Sequence, residues 1–183
     1  ENTLVEMLSF HRGLSRMLSL LLSAHISHIT TQKDFLQPNN PKSLTLSAYM
    51  RLLTEMLDHP SGHICSEQIN TWIALLRDPQ IIKTTILTPF LPTAMEKFMI
   101  HVVRIRWSDV EEMSHSNYNM IDASWGEEDS YDAWIGDYRS KTSQLFKFIA
   151  NTVPKVSTQI LNAKMRNVLN TYNEGPTMVR DHL

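Results

Sequence analysis

The sequence has little of four things. It holds one cysteine and five glycines among 183 residues, no apolar run of the 18 or so residues that a membrane span needs, and no surplus of positive charge. A single thiol, Cys65, rules out a disulfide framework within the chain and fits a reducing compartment, the nucleus or the cytoplasm. A net charge of -2 argues against a basic module whose affinity comes from neutralising phosphates along its whole surface, so any contact with nucleic acid has to be local. The opening ENTLVEML carries neither an initiator Met nor a basic stretch ahead of an apolar core, and reads as the start of a segment cut from something longer. The length suits one large domain or several small units stacked in a row.

Apolar residues recur at helical spacing, and strand-like alternation is nearly absent. The expected helices cover about 3–30, 43–58, 62–77, 79–88, 93–107, 127–152 and 154–170. Thr3 and Glu6 have the spacing of a capping box. In the first helix Met7, Phe10, Leu14, Met17, Leu21 and Ala24 form one stripe. Leu4, Leu8, Leu18, Leu22 and Ile29 form a second, which leaves only Ser9, Arg12, Arg16, Ser19 and Ser23 as a polar strip. A helix apolar around so much of its circumference is expected to pack on two sides. The other helices are separated by proline signals: PNNP at 38–41, HPS at 59–61, RDP at 77–79 and PFLP at 89–92. Helices joined by short turns make antiparallel hairpins, and stacked hairpins make an all-α solenoid.

The stretch HPSGHIC at 59–65 offers two histidines and a cysteine to a metal. Pro60, Ser61 and Gly62 place the histidines on a turn, and no further ligand has the usual spacing. Cys65 shares a helical face with Ile69, Trp72 and Leu76, which makes it a small core residue. His25 and His28 sit near the end of the first helix, where a cation is favoured by the helix dipole. No phosphate-cradling loop, nucleophile elbow or calcium-loop pattern is present, so neither catalysis, cofactor nor metal is expected.

HPS at 59–61, the helix carrying Trp72, RDP at 77–79, LPTAMEKFM at 91–99 and WGEEDSYDAWIGDYRS at 125–140 together resemble a middle segment of an exportin of the karyopherin-β superfamily. Among its members the order and spacing are most similar to the exportin-five/HASTY class, over about residues 44–170. The resemblance implies HEAT repeats and a receptor that shuttles between nucleus and cytoplasm. It would bind the GTP form of the small GTPase Ran together with structured RNA, a double-stranded precursor microRNA stem with a short 3′ overhang, and meet nuclear pore proteins on its way. No membrane partner is implied. Two rival readings stand beside it: another karyopherin carrying protein or transfer RNA, and a HEAT-repeat scaffold with no transport role.

Two groups of residues are candidates within that reading. Asp109, Glu111, Glu112, Asp122, Glu127, Glu128 and Asp129 lie in a stretch without a single Lys or Arg, and such a field would suit the basic surface of Ran. A solvated loop ending at a helix N-terminus is the plain alternative. Lys97, His101 and Arg104 follow at spacings of four and three, and Arg139 and Lys147 occupy the polar side of the next helix. These five are the candidates for RNA phosphates, against ordinary solvated helix faces. Tyr131, Trp134 and Tyr138, at helical spacing, read as core.

Overall fold

The computed structural model describes residues 2–37, 40–84, 86–102, 125 and 127–173. Seven α-helices span them: α1 Asn2–Thr31, α2 Pro41–Met56, α3 Gly62–Arg77, α4 Pro79–Ile82, α5 Leu91–Ile100, α6 Glu128–Thr152 and α7 Pro154–Asn173, with a 3-10 turn at Lys33–Leu36. No strand occurs among the described residues.

Proline sets most of these boundaries, as the sequence leads one to expect. Pro41 and Pro79 stand in the first turns of α2 and α4, where a missing amide hydrogen costs nothing. Asn40 caps α2 by accepting from the Lys42 amide, and Asp78 caps α4 by accepting from the amides of Gln80 and Ile81. The expected helix over 79–88 is a single turn: both the amide and the hydroxyl of Thr84 bond the Ile81 carbonyl and close it. The helix expected over 93–107 begins at Leu91 and gives way at His101–Val102 to a turn. Thr3 lies inside α1 instead of capping it.

Helix α2 returns along α1, α5 follows α3 and packs on α6, and α7 leaves α6 after a one-residue break at Val153. Tyr49 of α2 donates to the Leu18 carbonyl while Lys42, at the other end of α2, reaches Gln32 just past α1, so these two run antiparallel. Between α1 and α3 the direction is shared. Ser15 of α1 meets Ile64 of α3 and Ser23 meets Thr71 about two turns further along both helices. In the same sense Gly62 lies under Trp134 and Arg77 over the Phe148 ring of α6. Thus α1, α3 and α6 stand side by side and parallel, with α3 in the middle and the returning helices behind. One continuous core runs from Leu18 through Met50, Ile69, Trp72 and Phe98 to Ile149 and Ile160. This is an all-α helical-repeat segment.

One expectation about α1 needs correction. Leu8, Leu18, Leu22 and Ile29 are buried, but so is Ser19 of the expected polar strip, together with Ser15 one turn before it. Their hydroxyl and carbonyl oxygens join α1 to α3: Ser15 Oγ donates to the Ile64 carbonyl at 2.8 Å, and Thr71 Oγ1 donates to the Ser19 carbonyl at 3.2 Å. The first stripe turns Phe10 and Met17 outward, 68% and 56% exposed, because no described element lies on that side.

Candidate functional site

Helix α6 carries most of the surviving candidates. Tyr131, Ile135, Tyr138, Thr142, Leu145 and Ile149, spaced alternately four and three apart, form its buried face. Glu127 is the N-cap residue, Glu128 and Asp129 fill the first turn, and all three are exposed where negative charge opposes the positive end of the helix dipole. Asp109, Glu111, Glu112 and Asp122 lie outside the described residues.

On the outer side, Arg139 and Lys147 stand two turns apart, roughly 12 Å along the axis at 1.5 Å per residue. Both are exposed, and no carboxylate pairs with either among the described residues. Arg139 Nε donates to the Val102 carbonyl at 2.8 Å, which fixes the guanidinium against the end of α5 and leaves its remaining N–H groups outward. Between the two cations lies an open groove of about 360 Å3 whose floor is mainly Val102, Phe146 and Ala150.

The stripe expected of Lys97, His101 and Arg104 is not three free cations. Lys97 forms an ion pair with Asp58 at the end of α2. His101 turns inward: its Nε2 is 3.5 Å from Cys65 Sγ, and its ring meets Tyr138 edge-on. Burial pushes its pKa down to about 4, the His59 carbonyl opposing and the His59 ring reinforcing the shift. It is neutral at pH 7 and cannot serve as a phosphate cation. Arg104 lies outside the described residues. Of the five basic candidates, Arg139 and Lys147 are the pair the fold presents together.

Cys65 is buried beside Ile69 and Trp72, as its helical face implied, and burial pushes its thiol up to about 12. The histidines of the HPSGHIC turn are separately engaged: His59 with His11 of α1, His63 stacked on Trp125 at 4.4 Å between ring centres. Trp125 continues the ring cluster through Tyr131 and Trp134 to Tyr138. Sequence reasoning placed the three α6 aromatics in the core and missed the stack on His63, since a separation of 62 residues leaves no periodic signal. Gly62 makes this contact possible, as a Cβ there would stand 2.5 Å from the Trp134 ring. The indole is hemmed in by Trp125, Tyr131 and Tyr138, so Gly62→Ala is expected to destabilise the chain by about 2 kcal/mol through overpacking. Urea denaturation of the two chains reads the difference directly.

Parallel α1, α3 and α6 over one continuous core define an all-α helical-repeat segment. The model of the Exportin-5 family matches residues 6–180, and the chain belongs to that family of nuclear export receptors, a transport-receptor family and not an enzyme family. No curated protein and no solved structure matches it.

Proposed function

We propose that this chain is the part of a nuclear export receptor that contributes to holding structured RNA cargo, of the precursor microRNA kind, together with Ran in its GTP form. The observation that carries the reading is the Arg139–Lys147 pair: two exposed, unpaired cations about 12 Å apart on one rigid helix. Double-stranded RNA is recognised mainly through its backbone and shape, for which fixed cations at helical spacing are the fitting chemistry. The acids at the start of α6, Glu127, Glu128 and Asp129, with Asp109, Glu111, Glu112 and Asp122 before them, serve as the complementary field for Ran. Nuclear pore proteins complete the partners of a receptor that shuttles between nucleus and cytoplasm.

The two roles separate experimentally in the full-length receptor. Arg139→Glu with Lys147→Glu is expected to weaken hairpin RNA binding at least tenfold near 0.1 M salt, and to flatten the log–log salt dependence by close to two charges' worth of counterion release. Ran-GTP affinity should stay as it was. Neutralising Asp109, Glu111 and Glu112 should instead slow Ran-GTP association and leave the RNA slope intact. An unchanged RNA affinity and slope in the double reversal would reduce the pair to a solvated helix face.

A further inference from the structure

The contact between His11 of α1 and His59 of the α2–α3 turn fixes where protons sit. His59 Nδ1 accepts from the Ser61 amide at 3.0 Å, so that nitrogen is bare. A neutral His59 then carries its proton on Nε2, which lies 3.1 Å from His11 Nδ1. His11 Nδ1 is therefore the acceptor, and its own proton is on Nε2. One proton between the two rings satisfies all three groups, and a second proton breaks something. Placed on His11 Nδ1, it sets two N–H groups head to head. Placed on His59 Nδ1, it evicts the Ser61 amide at the N-cap position of α3.

Among the described residues, the neighbouring charges already have partners. Arg12 and Glu67, from α1 and α3, bind each other at 2.8 Å, and Asp58 at the end of α2 is bound to Lys97 of α5. His63 is stacked on Trp125, Cys65 keeps its proton, and His101 lies against the His59 carbonyl, near Tyr138 of α6. Burial, with the neighbouring His11 ring second, holds His59 below the ordinary histidine range. The helix held by this contact has little else to hold it. Upstream of Ser15, Leu8 is the one described residue of α1 that is buried, while Val5, Met7 and Phe10 are exposed.

We propose that His11 and His59 form a one-proton latch that holds the first half of α1 against the start of α3 at neutral pH and releases it under mild acid. The rest of α1 stays docked through Ser19, Ser23 and Thr71. Because protonation is disfavoured in the docked state, docking is complete above the ordinary histidine range and is lost as pH falls through it.

Hydrogen exchange in the full chain, corrected for intrinsic rates, tests the latch. Between pH 7.5 and 5.5, protection of residues 4–14 should fall by up to about tenfold relative to residues 64–76, the most that one excluded proton supplies one pH unit below the ordinary histidine value of about 6.5. His11→Asn places an acceptor where Nδ1 stood but does not titrate; it should keep the protection at pH 7.5 and lose much of the fall. A fall that matches wild type in His11→Asn, or none in wild type, overturns the proposal. Ring nitrogen spectra at pH 7.5 give a second reading that needs no variant: a proton on His59 Nδ1 would also overturn it.

Discussion

Replacing Trp72 by Ala is expected to lower the unfolding free energy by about 4 kcal/mol, within the range that large-to-small changes at fully buried aromatic positions produce. Trp72 is 0% exposed and sits in the middle of α3, itself the middle of the three parallel helices. Its indole also ends a polar chain. Trp72 Nε1 donates to Gln68 Oε1, Gln68 Nε2 donates to Ser15 Oγ, and Ser15 donates to the Ile64 carbonyl. Truncation therefore leaves a cavity and also strips the only donor shown for a buried amide oxygen, and the two costs act together. Trp72→Phe should recover most of the packing and none of the hydrogen bond, landing between wild type and Ala. The consequence for function is geometric: among the described helices, α3 is the one that packs directly on both α1 and α6. In the full-length receptor, Trp72→Ala should impair RNA binding without touching a single cation. A loss below about 1 kcal/mol in urea denaturation would mean that the site collapses around the gap, and would remove α3 as the rigid spacer.

How much of this was legible depends on range. Helix α3 runs from Gly62 to Arg77 as its flanking HPS and RDP imply, because proline geometry is a local constraint that tertiary packing does not override. The family resemblance rested on the same punctuation, and the match over residues 6–180 agrees with it. Partner choice was not legible. Period 3.6 assigns a residue to a face without saying what covers that face, so the pattern gives α1's Phe10 and Met17 a packed stripe and Ser19 a polar strip, the reverse of their burial. Ser15 goes inside because α3 presents its hydroxyl with the Ile64 carbonyl at matching height, a fact written 49 residues away. Lys97 failed as a free cation for the same reason, its partner Asp58 lying 39 positions back. Arg139 and Lys147 share an exposed face because two residues eight apart on a helix need nothing distant to do so.

His101 gives the last case its sharpest test, since its spacing suggested a phosphate ligand and its surroundings make it a buried neutral ring. With a folded pKa of about 4 against an ordinary 6.5, the unfolded chain binds the proton that the folded chain refuses. Stability therefore rises with pH across that window, is complete above about 6.5, and is lost progressively as pH falls toward 4, by about 3 kcal/mol at 1.36 kcal/mol per unit. Burial is the main cause, and the edge-on Tyr138 ring and the Cys65 sulfur replace the water a cation would need. His101→Gln keeps a polar group of similar reach that does not titrate. Comparing its stability with wild type at pH 7.5 and at pH 4.5 isolates this one group, since every other side chain is the same in both chains. The wild-type loss between the two conditions should exceed the variant's by roughly 2 to 3 kcal/mol. In the full-length receptor at neutral pH the same variant should leave the salt dependence of RNA binding unchanged, because no charge has been removed. Equal acid losses in the two chains, together with a flattened salt slope in the variant, would return His101 to the surface as a cation and restore the basic stripe with Lys97.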